Sequence, residues 1–396
     1  MTPTHWIHGQ RDRLIDRVTA WSNINSGSLN LPGIKKAGEL IYRDFQRLEP
    51  ENWQLVALNQ TSSLPSPPIS SPGPLAIFRK RPNAEGRLLF FGHLDTVYGP
   101  EHRLQEVVSG ASGTLIGPGV CDMKGGLAIL LCGLSAFEKF TKEKNFGWTI
   151  MINSDEEIGS PGSSPYFQIE AAYHRFGFGF EPALEDGALA SNRKGSGNFT
   201  FTVHGKAAHS GRNPRAGRNA LVPAAEFILA CHQLNGTRPS VFVNPGVISG
   251  GTVANTIPDL AVCQVNVRTT TGDDEHWLLQ ELERLRASLE DSGRYRIEVT
   301  GGFTAPPKPL TTGVSYLLDL AQKAATKIGI PLSVRPTGGT CDGNRLAHFG
   351  LPNIDNLGTR GGAIHSENEF LVVESLVERS WLFYTLLQEL NQEMAR

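Results

Sequence analysis

Residues 148–157 read WTIMINSDEE. The run is apolar on both faces until its polar end, the pattern of a strand buried in a sheet with helices on both sides. Similar segments stand around it. LAIFRKR (75–81), LLFFGHLDTV (88–97) and GFGFEPA (177–183) read as strands, and GGLAILLCGLSAFEKFTKE (125–143) has helical spacing after a glycine pair. Residues from about 10 to 58 read as helix, turn, helix and then a strand. Strands alternating with helices imply an α/β sheet. QTSSLPSPPISSPGP (60–74) is rich in serine and proline, has no apolar period and reads as an exposed loop.

The pattern changes after Lys194. NFTFTVHG (198–205) alternates like a half-buried strand, and NALVPAAEFILACHQLN (219–235) reads as an amphipathic helix. SVFVNPGVISG (240–250) and LAVCQVNVRTT (260–270) read as two strands. DDEHWLLQELERLRASLEDS (273–292) opens with acids and has helical period, and RYRIEVTGG (294–302) is a last strand. The order β-α-β-β-α-β is the ferredoxin-like unit. We therefore expect a catalytic domain in two parts, 1–194 and 304–396, with a small domain at 195–303 inserted between them. The larger domain resumes with VSYLLDLAQKAATKIG (314–329) and closes with the helix around VESLVERSWLFYTLLQEL (373–390). Hinges are expected near Lys194–Gly197 and Gly301–Gly302, where glycines absorb rotation.

A chain of 396 residues exceeds one typical core, in keeping with two domains. The formal net charge is -2 and no run of Lys or Arg stands out, which argues against nucleic acid or anionic membrane as partners. Residues 1–21 carry no basic segment followed by an apolar stretch, so no secretory signal is expected. Apolar stretches such as LAILLCGL (127–134) are too short to span a bilayer. Cys121, Cys132, Cys231, Cys263 and Cys341 form no C-x-x-C pair and read as reduced thiols of a cytoplasmic protein.

Acids and histidines gather where the strands end. LLFFGHLDTV offers His93 and Asp95, GPGVCDMKGG (117–126) Asp122, and the opening segment Glu156 and Glu157. FGFGFEPALE (176–185) offers Glu181, and GAIHSENEF (362–370) His365. Alternation would put His93 and Asp95 on one face, where the carboxylate can accept the second ring N–H of a metal-bound histidine. Taken singly, each feature has a plainer reading: Asp122 as a helix cap, the acid pair as a solvated strand end, His365 as a loop histidine. Together they sit where open α/β sheets collect ligands. Two imidazoles and three or four carboxylates suit a pair of divalent cations such as zinc, with cobalt or manganese also accepted. One carboxylate remains to act as a base.

The motifs GHLDTV, GxGxxDMKGG, DEExGS, FEP, GxxAHSG, GGTVANxIPD, GGTCDGN and the final His-Ser loop run over nearly the whole chain. They resemble the co-catalytic zinc metallopeptidases that include glutamate carboxypeptidases, acetylornithine deacetylases, succinyl-diaminopimelate desuccinylases and aminoacylases. The resemblance implies a mixed-sheet zinc-peptidase domain with an inserted ferredoxin-like lid and dimerisation domain. It implies that His93 and Glu181 hold one metal, Glu157 and His365 the other, and that Asp122 bridges them. Glu156 would be the general base and Asp95 would orient His93. His209 would reach the partner subunit's active site in a homodimer built through 195–303, and Asn255 and Arg268 would bind substrate carboxylate or carbonyl groups.

The expected reaction is hydrolysis of the amide of an N-acyl amino acid or small peptide with a free carboxylate. One departure stands out: the glutamate carboxypeptidases carry an arginine just after the last lid strand, where this chain has Phe303 in VTGGFTAPPKPL (299–310). Rival readings are an aminopeptidase or dipeptidase of the same architecture, a dinuclear phosphoesterase, and a degenerate relative that binds metal or ligand without turnover. Aminopeptidase-type relatives often have Asp at the position of Glu181. A phosphoesterase would want more cationic groups, and a relative without turnover would have no use for Glu156.

Overall fold

All seven residues from Gly147 to Asn153 are buried, which places this strand inside the main sheet with both faces covered. The computed structural model of the chain describes residues 1–59, 72–290 and 293–395, so most of the serine- and proline-rich stretch 60–74 lies outside them. The chain opens with α1 (Pro3–His8), α2 (Arg11–Ser22) and α3 (Leu31–Gln46), followed by β1 (Asn52–Val56), β2 (Leu75–Lys80) and β3 (Arg87–His93). Then come α4 (Gly125–Phe140), β4 (Gly147–Asn153), α5 (Ser164–Ala171) and β5 (Phe176–Gly179). A second unit follows: β6 (Gly195–His204), α6 (Leu221–Gln233), β7 (Phe242–Gly250), β8 (Leu260–Thr269), α7 (Gly272–Glu290) and β9 (Arg296–Ala305). The chain returns through α8 (Thr312–Lys327), α9 (Asp342–His348), β10 (Asn353–Ile354) and α10 (Val373–Glu393).

The main sheet has the order β1-β2-β4-β3-β5-β10. β3 runs parallel to both β4 and β5, while β2 is antiparallel to β1 and β4, so the sheet is mixed. His93 is paired with Asn153, which brings the ends of β3 and β4 to one edge. One face packs on α4, α8 and α10 through residues such as Phe90, Ile150, Leu130, Leu317 and Phe383. The other packs on α5 and α9 through Phe91, Met151, Phe167 and Leu346. The segment Val120–Phe140 is apolar and has the length of a membrane span, but only Gly125–Phe140 of it is regular helix and 94% of its most apolar stretch is buried within the fold, as befits a core helix. Gly126 lets it approach closely: a Cβ there would lie 1.9 Å from the carbonyl oxygen of Phe180.

The second sheet has the antiparallel order β7-β8-β6-β9. Ala261, Cys263, Val265 and Val267 of β8 are buried at every second position, in one core with Phe227 of α6 and Leu278 and Leu282 of α7. Gly301 and Gly302, expected to act as a hinge, lie inside β9 and pair with Phe199 and Asn198. The two connections between the units are joined where Arg193, just before the other expected hinge at Lys194–Gly197, and Lys308 exchange two main-chain hydrogen bonds, each of 3.0 Å. Phe303, which falls near the arginine of the glutamate carboxypeptidases, is half-buried and packs edge-on against Phe199 beside the core of the second unit.

Candidate active site

The parallel strands deliver the acids together. The Nε2 of His93, at the end of β3, lies 3.3 Å from Asp122 Oδ1 and 3.8 Å from Glu181 Oε2. The Nε2 of His365 lies 3.3 Å from Asp122 Oδ2 and 3.3 Å from Glu157 Oε2. One carboxylate is thus shared between two histidines, one oxygen to each. Asp122 does not cap α4; it sits in the turn Val120–Lys124 ahead of it, with extended rather than helical backbone. Glu156 and Glu157 occupy a single 3-10 turn after β4, and Glu156 Oε2 is 4.0 Å from the His93 ring.

The strand alternation expected to set Asp95 beside His93 ends at His93. Its Nδ1 meets the main-chain oxygen of Asp95 at 3.0 Å and the carboxylate Oδ1 at 3.5 Å. The Asp95 carboxylate, fully buried, instead accepts the main-chain N–H of Glu156 at 3.3 Å and of Glu157 at 3.2 Å, and the Ser28 hydroxyl at 2.7 Å. Asp95 therefore aims the acid pair as well as the histidine.

Charge balance tests whether cations fit here. Burial, with Glu181, Asp342 and Glu157 nearby, pushes the Glu156 carboxyl well above its usual range, and burial pushes Glu157 up to about 7. Burial opposes a charged His93 ring, but Asp122, Asp95 and Glu181 outweigh it and hold the ring well above the ordinary histidine value. Asp122 and Glu157 hold His365 up to about 10. Without cations the two imidazoles favour their protonated forms, while between them Asp122, against the effect of burial, is held well below the usual carboxylate range by His365 and His93, so positive charge already gathers where metals would sit. Asp122 Oδ1 is also buried, and its neighbour His93 Nε2 at 3.3 Å makes no well-aligned hydrogen bond with it, so the oxygen has room for a cation. Donor separations near 3.3 Å match the edge of a tetrahedron with Zn–N and Zn–O bonds of about 2.0–2.1 Å. The residues fit a pair of divalent ions.

Sequence reasoning missed Glu369. Fully buried, it accepts the main-chain N–H of Gly119 at 3.2 Å, Cys121 at 2.9 Å and Asp122 at 3.0 Å, fixing the turn that carries the shared carboxylate. Tyr98 donates its hydroxyl to Ser366 O at 3.0 Å and so holds the loop of His365. Only the position of Glu369, four residues past His365, hinted at a role. Glu369→Gln places an amide N–H₂ where carboxylate oxygens now accept. It is expected to weaken zinc binding roughly 10- to 100-fold, measurable by titration calorimetry; unchanged affinity would show that the turn holds its shape without the charge.

A cleft of about 540 Å³ opens over the acids, lined by Asp122, Glu156, Glu157, Glu181 and His365, and by Arg268 from the second unit. His209 and Asn255 are not brought there. They stand together on the exposed side of that unit, where Asn255 O accepts the Ser210 N–H at 3.0 Å and Ala208–His209 pairs with Thr256–Ile257. His209 Nδ1 accepts two main-chain N–H groups, from Gly211 at 3.1 Å and Arg212 at 3.2 Å, which leaves the proton of the neutral ring on the outward Nε2.

Chemically, this arrangement can take divalent cations between its histidines and carboxylates and leaves Glu156 beside them, a design suited to a metallohydrolase. The chain belongs to Peptidase family M20/M25/M40, whose profile matches residues 89–389. It is 29% identical over 313 residues to carboxypeptidase G2 of Pseudomonas sp. (strain RS-16), covering 77% of this chain and 74% of that one. It is 26% identical over 373 residues to succinyl-diaminopimelate desuccinylase of Dechloromonas aromatica (strain RCB), covering 87% and 92%. The aminopeptidase PepT of Bacillus cereus shares the fold with a TM-score of 0.79 at 20% identity, over 98% of this chain and 99% of that one.

Proposed function

We propose that the protein hydrolyses the amide bond of an N-acyl amino acid or small peptide that carries a free carboxylate next to the scissile bond. The observation that carries this reading is Arg268: a guanidinium from the second unit lines the same cleft as the acids and histidines. An arginine opposite a cation-binding cluster can hold a carboxylate in a two-pronged contact while the amide lies over the cluster. Similarity to a carboxypeptidase and a desuccinylase supports the same reading.

In this proposal His93 and Glu181 hold one ion, Glu157 and His365 the other, and Asp122 both; zinc suits two imidazoles with three carboxylates, and cobalt or manganese fit the same donors. When bound, the ions supply Lewis acidity to the scissile carbonyl and to water. Glu156 takes the proton of the attacking water and returns it to the leaving amine. Asp95 keeps Glu156 aimed through its main-chain N–H. His209, with its proton on Nε2, donates to the developing oxyanion of a partner subunit, and Asn255 beside it contacts the substrate. The subunits form a homodimer through the second unit, whose edge strand β7 and helix α6 carry exposed Val247, Ile248, Val222 and Leu229. Five buried, unpaired cysteines suit the reducing cytoplasm.

The test is a release assay on N-acetyl amino acids, dipeptides and their carboxyl amides, with zinc added back. Acids are expected to be cleaved about 10²-fold or more faster, in kcat/KM, than the matching amides, and Arg268→Ala should erase that preference. Equal rates on acid and amide would transfer the protein to the aminopeptidase reading. No cleavage of any member, with both metals bound, would leave it a binding protein.

A further inference from the structure

Three side chains at the start of α9 grip pieces of chain from three different places. Asp342 accepts the Ser160 hydroxyl at 2.5 Å and the Asn153 side-chain N–H at 2.8 Å, both next to the turn of Glu156. Asn344 donates its Nδ2 to Lys194 O at 3.1 Å and to Pro306 O at 2.7 Å, one carbonyl in each connection between the two units. Arg345 donates Nη2 to Gly159 O and, at 3.0 Å, to Thr304 O. Its Nε faces Asp342 Oδ1 at 3.5 Å.

The two carbonyls that Arg345 joins belong to parts that matter separately. Gly159 closes the turn that carries the acid pair, and its N–H is bonded to Glu156 O at 2.7 Å. Thr304 lies in β9, where pairing with β6 slips between Phe303 and Ala305 and leaves Thr304 out of register. Arg345 is only 14% exposed at its side chain and lines the cleft, so the tie runs along the wall of the site. Arg193, the other arginine that the catalytic part puts on that wall, spends its contacts elsewhere: on Asp355 at 3.0 Å, Gly339 O at 3.1 Å and Asn356 at 3.2 Å, all in the catalytic part.

We propose that Arg345 is a positioning residue that fastens the lid's last strand to the Glu156 turn, so that substrate held by Arg268 on the lid aims the base. This rests on the reading of Glu156 as base and Arg268 as carboxylate partner. Its planar guanidinium can reach both carbonyls at once, which a lysine ammonium on a flexible stem does less well. The consequence is kinetic: the substrate carboxylate raises kcat as well as lowering KM, because docking it draws the lid, and with it Gly159, into place.

The experiment compares N-acetyl amino acids with their carboxyl amides in the wild type, R345M and R345K, with zinc content measured alongside. In the wild type the acid is expected to exceed the amide in kcat by about 10- to 100-fold, the scale of a small misplacement of a catalytic group. In R345M that kcat ratio should shrink to within about threefold through loss of acid turnover, while the KM difference and two equivalents of zinc remain. R345K should fall between. A kcat ratio unchanged in R345M overturns the proposal, and so does a loss in step with lost zinc, which would make Arg345 part of the scaffold only. Hydrogen exchange on the zinc-loaded proteins decides the matter without turnover. Segments 156–163 and 300–307 should both exchange faster in R345K than in the wild type; acceleration of one alone, or neither, refutes the tie. A wild type inactive on every compound counts against the proposed function, and the exchange result still stands or falls by itself.

Discussion

Glu156→Gln is expected to bind two equivalents of zinc and to turn substrate over about 10²- to 10⁴-fold more slowly. The substitution keeps shape and the main-chain bond to Asp95 but removes the ability to accept a proton. Glu156 is the acid of the pair that stands apart from the histidine contacts: it reaches the His93 ring only at 4.0 Å, whereas Glu157 lies 3.3 Å from His365. Glu157→Gln should accordingly lose metal first and activity as a result. Metal content by elemental analysis beside initial rates separates the two cases. Reversed phenotypes would exchange the roles of base and ligand; wild-type turnover in Glu156→Gln would remove it from the chemistry altogether.

A mixture of two dead enzymes is expected to work. His209→Ala and Glu156→Gln should each be nearly inactive, yet after subunit exchange the mixture should recover about a quarter of wild-type activity. Half of the dimers are then mixed, and in each of these one site carries both defects and the other neither. The reason lies in the placement of His209, exposed on the second unit and absent from the lining of its own chain's cleft. The measurement needs exchange shown independently, for instance with two differently tagged subunits. Exchange without recovered activity would confine His209 to its own chain or to no role.

Much of the site can be read from one sequence because its parts are local. An acid at the polar end of a strand that is apolar on both faces must emerge at a sheet edge, and parallel neighbours put such ends side by side. That places His93, Glu157 and Glu181 without any knowledge of packing. What stays hidden is what a pattern cannot encode: pairing across long separations. Glu369 holds Asp122 from 247 residues away, and Arg345 joins Gly159 to Thr304. Gly301 and Gly302 show a related limit. A glycine pair signals backbone freedom, but the ladder with Phe199 and Asn198 uses that freedom to continue the strand. Phe303 likewise meets Phe199 just before the ladder slips, a pairing that no local pattern announces.

The paired connections at Arg193 and Lys308 bear on how the chain is put together. Elements from α8 to α10, and with them His365, must find a sheet whose first strands were made long before the inserted unit. An unfolded insert of roughly a hundred residues would make that meeting a long loop closure; a folded one, with its ends a strand spacing apart, reduces it to closing a few residues. With a cost of (3/2)RT ln n, the difference is about 3 kcal/mol. That difference favours an order in which the insert folds on its own core, its two ends come together, and the last histidine is then delivered to the acids.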